Sequence, residues 1–334
     1  MKAFTIDRYG KKEIGHLTEV GEPELQEEDV LIQIHAASVN LLDIKIRNGE
    51  FKLILPYRLP LVLGHDVAGT VIRVGSGVRK FKSGDEVYAR PDDFRIGTFA
   101  EYIAVKEGSL AHKPTKLTME EAASIPLVGL TAWQVLVETA KLKQGQKVFI
   151  QAGSGGVGSI AIQLAKHLGA FVATTTSTRN VEWVKALGAD VVIDYKQQDF
   201  ATELRDYDVV LHSLGSDELE KSLQVLKPGG YLVSISGPPT PEFAAEKKLA
   251  WPLKLVLSVL SHRIRSKAKR RGIHYSFVFM RASGNQLGEI SALIESGAIK
   301  PSVDRSFPFD SIAEALAYVE TGRAKGKVII KVKS

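Results

Sequence analysis

The sequence predicts an α/β protein in which a doubly wound parallel sheet is joined to a small β-barrel. Three observations carry this expectation. Val148–Gly158 sets a short apolar run directly before Gly153-x-Gly155-x-x-Gly158, and an Ala/Ile/Leu-rich stretch, Ser159–Leu168, follows. From about Met119 onward, helical patterns alternate with short apolar strands, the rhythm of a parallel sheet. Before about Leu110, apolar and polar residues alternate between turn signals, as in a β-rich domain.

In chain order, the β-rich part offers strands at Val30–His35, Asp66–Val74, Glu86–Tyr88 and Phe99–Val105, punctuated by Gly75-Ser-Gly77 and Ser83-Gly-Asp85. The alternating part offers strands at Lys147–Gln151, Phe171–Thr175, Val191–Asp194, Asp208–His212, Tyr231–Ser236 and Tyr275–Met280. The tail reads as helix Asn285–Gly297, helix Ser311–Thr321 and strand Lys327–Val332. One segment is out of rhythm. Gly237-Pro-Pro-Thr-Pro-Glu242 opens an extended loop, Leu249–Leu260 is an apolar stretch broken by Pro252 and Lys254, and a basic run follows. This excursion, 237–274, is longer than a connection needs. It suits a helix packed on the sheet, a lid, a dimer contact or a membrane-surface helix.

The order strand, glycine turn, helix is the context a dinucleotide fingerprint requires. Such a turn needs positive φ or an absent Cβ, because the backbone must come close to a pyrophosphate lying on the N–H groups of the helix N-terminus. Gly153, Ser154, Gly155, Gly156, Val157 and Gly158 are therefore cofactor-binding candidates. An NAD site usually places an Asp or Glu about 20 residues on, at the end of the next strand. Here Ser177-Thr178-Arg179-Asn180 follows that strand, and no carboxylate appears until Glu182. Hydroxyls, an amide and a guanidinium can donate to a 2′-phosphate, at roughly 1.5–3 kcal/mol for a hydrogen bond with a charged partner. Ser177, Arg179 and Asn180 thus favour NADP(H); the alternative is that Arg179 and Asn180 cap the helix Val181–Leu187.

The 334 residues suffice for two domains with substantial cores. The absence of cysteine excludes disulfides, thiolate zinc sites, Cys nucleophiles and iron–sulfur clusters. Met1–Asp7 has no apolar signal region and no apolar run approaches a membrane span, so a cytoplasmic location is expected. The net charge of +6 is local. Arg263, Arg265, Lys267, Lys269, Arg270 and Arg271 carry it without an acid among them, and the rest of the chain is near neutrality. That run is either a solvated helix face or a phosphate, membrane-surface or RNA contact; no stable nucleic-acid partner is expected.

Several motifs then fall into one order: Val39-Asn40-x-x-Asp43-x-Lys45, Gly64-His-Asp-Val-Ala-Gly69, Gly84-Asp-Glu-Val87, Gly97-Thr-Phe-Ala-Glu-Tyr102, Gly129-Leu-Thr-Ala-Trp133 and the glycine turn. Leu187-Gly-Ala-Asp190, Leu226-Lys-Pro-Gly-Gly230 and Gly326-Lys-Val328 continue the series. Together they resemble the medium-chain dehydrogenase/reductase superfamily over nearly the whole chain, and its zinc-independent NADPH quinone oxidoreductase and alkenal/enone reductase branch in particular. The resemblance implies a GroES-like catalytic domain over 1–123 and 284–334, and a Rossmann NADP-binding domain over 124–283.

Departures from the zinc alcohol dehydrogenases fix the branch. Asn40 stands where those enzymes have a Cys ligand, and Gly64-His65-Asp66 stands where they have Gly-His-Glu. His65 alone cannot hold a catalytic zinc, which takes three protein ligands; it reads as a structural, hydrogen-bonded histidine, and no metal is expected. Without zinc to stabilise an alkoxide, the suitable acceptors are quinones and conjugated enones, which carry their own electron sink and need only a few hydrogen-bond donors.

The resemblance implies a nicotinamide in the cleft between the domains, near the catalytic candidates Asn40, Lys45 and Thr131. Lys45 would orient the cofactor or polarise a carbonyl, unless it is simply an exposed helix lysine; Asp43 would have a structural role. Tyr195 would lie near the adenine ribose phosphate, Leu214, Gly215 and Ser236 would border the cofactor, and Phe277 and Val278 would support its nicotinamide end. Arg323 and Lys327 would reach the phosphates, or Gly326-Lys327 would close the barrel. The expected activity is NADPH-dependent reduction of a quinone or an α,β-unsaturated carbonyl by a homodimer. The alternatives are an enoyl-thioester reductase, and an NADPH-binding sensor or RNA-binding protein with little catalysis.

Overall fold

The computed structural model describes residues 1–12 and 14–333. Two compact units emerge: Met1–Leu130 with Arg281–Ser334, and Thr131–Met280. The first division falls inside the helix Pro126–Trp133 rather than at 123/124, and the second at 280/281 rather than 283/284.

In the first unit, Asp29–Val39 is the organising strand. It pairs antiparallel with Asp66–Val74, Tyr102–Lys106 and Lys327–Lys331. Because it is enclosed in this way, nine of its eleven residues are buried and its apolar alternation is nearly lost. Two register shifts against Asp66–Val74, at Leu31/Ile32 and Ile34/Ala36, bend the sheet. Glu86–Ala89 and Leu110–His112 extend it on one side and Val303–Pro308 on the other. Val30, Ile32, Ile34, Val67, Val71, Val87, Ile103 and Val105 fill its core. A second, three-stranded sheet joins His16–Glu19, Lys2–Ile6 and Leu61–Val62. The expected strand Phe99–Val105 begins only at Tyr102; before it, Ala100 makes a single bridge to Ala3.

In the second unit, six parallel strands lie in the order Val191–Asp194, Phe171–Thr176, Lys147–Ile150, Tyr207–His212, Leu226–Ser234, His274–Phe277. The first strand in sequence is central, with the second on one side and the fourth on the other. This is the switch point beyond whose carboxyl ends open α/β sheets bind ligands. Phe149, at its centre, packs tilted against Phe200 with 4.9 Å between ring centroids. The fifth strand starts at Leu226 rather than Tyr231, drawing Leu226-Lys-Pro-Gly-Gly230 into the sheet across a bulge between Tyr207 and Val209.

The excursion also differs from expectation. Pro252 does not break it. It sits in the first turn of a continuous 20-residue helix, Trp251–Arg270, where no intrahelical N–H is required. Thr240 caps a short helix, Pro241–Glu246, ahead of it. Gly272, at φ +67°, closes the long helix in the left-handed conformation that favours glycine. Ile264 and Ala268 pack into the core of the sheet. Among the described residues no helix is long and apolar enough to cross a membrane.

Candidate cofactor and catalytic sites

In the second unit, every loop expected to touch a dinucleotide leaves the carboxyl end of a strand in the six-stranded sheet. Residues 151–158 follow the first strand, 177–180 the second, Tyr195 the third, 213–215 the fourth, 235–237 the fifth and Val278 the sixth.

At the glycine turn, the left-handed residue is Ala152, at φ +52°. Gly153 and Gly158 are needed for their missing side chains. A Cβ on Gly153 would lie 2.2 Å from Thr174 Oγ1, and one on Gly158 would lie 2.3 Å from the Ala152 carbonyl oxygen and 2.7 Å from Gly153 Cα. Gly155 is the N-cap of the helix Gly156–His167, whose first turn holds no acid. The N–H groups of Gly156, Val157 and Gly158 therefore have no intrahelical partner, and the helix dipole favours an anion there. Ser154 and Val157 flank the turn and are half-buried.

At the next strand end, Arg179 is exposed while Ser177 and Asn180 are buried. Asn180 occupies the N-cap position of Val181–Ala186, yet its side chain makes no capping bond and instead donates to Ser177 Oγ at 3.4 Å. An acid that sequence spacing does not indicate lies beside them. Asp194 is brought in by the parallel register that pairs it with Thr176. Its carboxylate accepts from the Thr178 hydroxyl at 2.6 Å, from Gln197 Nε2 at 3.0 Å and from the Lys196 N–H at 3.1 Å. The Thr178 hydrogen bond leads in holding it below the usual aspartate range. The buried Thr176 Oγ1 has no partner among the described residues, and Tyr195, which follows Asp194 in sequence, stands 60 % exposed.

His212, fully buried, ties two further loops together. Its Nε2 lies 3.0 Å from the Gly215 carbonyl oxygen and its Nδ1 lies 2.8 Å from Ser234 Oγ. Ser236 Oγ donates to the Leu214 carbonyl at 2.8 Å. Phe277 packs edge-on against Phe243 at 5.1 Å, and the Val278 N–H donates to the Ser234 carbonyl at 2.9 Å. Thr131, on the helix Pro126–Trp133, is buried.

The first unit holds a dense buried polar cluster. Asp66 accepts from Ser38 Oγ at 2.7 Å, Asn40 Nδ2 at 2.8 Å, the Leu127 N–H at 2.7 Å and Lys327 Nζ at 3.3 Å. Asn40 Nδ2 also donates to the Ser38 carbonyl, and Asn40 Oδ1 accepts from Lys327. Asp43 accepts the Asn40 N–H at 2.7 Å and meets His65 Nδ1 at 2.5 Å, while His65 Nε2 is buried without a partner among the described residues.

This geometry corrects two expectations. Lys327 is not placed to reach a phosphate: it is 5 % exposed, and its ammonium is committed to Asp66, Asn40 and the Val39 carbonyl. Burial pushes that ammonium below the usual lysine range, and Asp66 and Asp43 oppose the shift. Asn40, in turn, uses both amide hydrogens and its oxygen inside the cluster, so it positions neighbouring groups rather than donating to a substrate. Lys45 differs from both. It is half-buried on the helix Leu41–Arg47, and its ammonium makes no hydrogen bond or ion pair among the described residues. The same cluster does not fit a zinc ion. Asp66 already faces an ammonium, Asn40 offers an amide, and no three His, Asp or Glu side chains converge among the described residues.

Two family models match the chain, the alcohol dehydrogenase GroES-like domain over residues 26–115 and the zinc-binding dehydrogenase over residues 187–330. A 2-methylene-furan-3-one reductase of Solanum lycopersicum is 38% identical over 99% of this chain and 79% of its own length. A chloroplastic NADPH-dependent alkenal/one oxidoreductase of Arabidopsis thaliana is 37% identical over the same shares, 99% and 79%. Among solved structures, a quinone oxidoreductase from Coxiella burnetii superposes with a TM-score of 0.87 at 32% identity, covering 100% of this chain and 99% of that one.

Proposed function

The chain belongs to the zinc-independent quinone and alkenal/one oxidoreductase branch of the medium-chain dehydrogenase/reductase superfamily, and we propose that it reduces α,β-unsaturated carbonyls and quinones at the expense of NADPH. The observation that carries this reading is the convergence of six strand ends on one edge of a parallel sheet, with a turn at the switch point where neither Gly153 nor Gly158 has room for a Cβ. NADPH, when bound, supplies the hydride. The N–H groups of residues 156–158 hold its pyrophosphate, and Ser177, Arg179 and Asn180 hold its 2′-phosphate. Asp194 keeps its negative charge beside this pocket, its oxygens held by Thr178, Gln197 and the Lys196 N–H, so the exposed Arg179 supplies the cation that the 2′-phosphate pairs with.

The substrate's task is to accept a hydride at carbon while negative charge moves to its carbonyl oxygen. An enone or quinone spreads that charge through its own conjugation, so an ammonium or a few N–H donors are sufficient stabilisation. Lys45, half-buried and with its ammonium uncommitted among the described residues, supplies that stabilisation, while Asn40 and Lys327 hold the N-terminus of its helix through Asp66 and Asp43. The names of the two curated relatives, one acting on a methylene-furanone and one on alkenals and enones, favour the conjugated enone among these acceptors. Steady-state kinetics with a 2-alkenal test this. Lys45→Met is expected to lower kcat/KM about 10- to 100-fold, the size of one charged hydrogen bond, with NADPH binding little changed. Undiminished turnover would remove Lys45 from the mechanism, and no NADPH oxidation by any conjugated acceptor would remove the function itself.

A further inference from the structure

We infer that the exposed side of the helix Trp251–Arg270 docks this protein on a bilayer of anionic phospholipid. The helix is anchored by one side only. Leu257, Ser261, Ile264 and Ala268, at three- and four-residue spacing, are buried, Ile264 and Ala268 of them in the core of the sheet. On the other side, Trp251, Leu255, Val256, Val259 and Leu260 are half to three-quarters exposed. These are five of the fifteen exposed large hydrophobic side chains among the described residues, gathered on ten consecutive positions. Scattered apolar residues need no explanation, whereas a contiguous patch does.

The next turns change from apolar to cationic on the same exposed side. His262, Arg263, Lys269 and Arg270 are exposed, and of these Lys269 and Arg270 make no ion pair among the described residues. Arg263 and Lys267 share the single acid Glu220. From Lys247 to Gly288 the chain has ten Lys and Arg and no Asp or Glu. Beside the cationic end, a cavity of about 460 Å³ is lined by His262, Arg265, Ser266, Lys269, His274 and Tyr275, again without a carboxylate. It is a receptacle for a phosphate-bearing headgroup.

An apolar row followed by cations, on a helix too polar to span, is the composition of an interfacial helix: the apolar half enters the acyl boundary and the cations meet acidic headgroups. Charge complementarity selects this occupant. A second copy of the same surface, as a two-fold contact requires, brings to its cations only Glu220, which Arg263 and Lys267 already occupy.

The test is flotation of the full-length protein with vesicles of phosphatidylcholine alone or with about 30 % phosphatidylserine, for the wild type and two surface variants. The wild type is expected to float with the acidic vesicles and not with the neutral ones. Leu255→Asp with Val259→Asp, and separately Lys269→Glu with Arg270→Glu, are each expected to lower vesicle affinity at least about tenfold, since each surface cation contributes roughly fivefold. Neither pair touches the sheet core, so unchanged thermal melts show that both variants remain folded. Absence of flotation with acidic vesicles at low salt would overturn the inference. So would binding that survives the two Asp substitutions, or a loss of self-association in those variants with vesicle binding intact, which would make the patch a contact between copies.

Discussion

Lowering the pH from 7 to 5 should cost this protein about 2 kcal/mol of stability through one side chain, His212. The ring is fully buried, and burial pushes its pKa down to about 4. The Gly215 carbonyl can only accept, so Nε2 carries the hydrogen, and Nδ1 accepts from the Ser234 hydroxyl. Ser234 Oγ itself accepts the N–H groups of Gly237, at 2.7 Å, and Ser236, at 3.3 Å. A neutral imidazole thus holds the loops 213–215 and 235–237 in place. The folded value lies below the ordinary 6.5, so the contribution is complete above that pH and is lost as pH falls toward 4. The fall from 6.5 to about 4 corresponds to roughly 3 kcal/mol in all, about 2 of it already gone at pH 5. Urea unfolding of the wild type and His212→Gln at both pH values isolates the effect from the other histidines. The variant should be less stable at pH 7 and should lose about 2 kcal/mol less than the wild type on acidification. Parallel pH profiles for the two proteins would refute the reasoning.

Gly158→Ala would bring a methyl group 2.3 Å from a backbone oxygen, and calorimetric titration should show NADPH binding at least about tenfold weaker, some 1.4 kcal/mol, with the fold retained. Arg179→Ala should weaken NADPH binding by a similar factor and leave NADH binding unchanged; equal losses would count against Arg179 as a 2′-phosphate ligand. Lys327→Met strands the Asp66 carboxylate and should destabilise the protein by about 3–5 kcal/mol in denaturant unfolding. Adding Asp66→Asn should recover much of that loss, which a purely steric role for Lys327 would not allow.

What the sequence disclosed tracks how local each feature is. The glycine turn, its flanking strand and helix, and the alternation of the parallel sheet are written within a dozen residues each, and they are found in the fold. Val303–Pro308 escaped notice because its residues are almost all exposed, so no apolar alternation marks it. Pro252 reads as a breaker unless the helix start is known, because its tolerance depends on lying in the first turn. Asp194 enters the ribose end through strand register rather than sequence spacing. The ion pair of Lys327 with Asp66 joins positions 261 residues apart, and it turns an apparent phosphate ligand into an internal counter-ion. No periodicity in the chain could have indicated that pairing, or that Asn40 would have every amide atom engaged.

The most direct measurement of the central claim follows deuterium from NADPH labelled at the nicotinamide C4 into a 2-alkenal and a simple ketone, by mass spectrometry and NMR. The account predicts one deuterium at the β-carbon of the saturated aldehyde, an unchanged ketone, and transfer that persists in EDTA. Label in an alcohol carbon, transfer abolished by EDTA, or no transfer to any conjugated acceptor would contradict it.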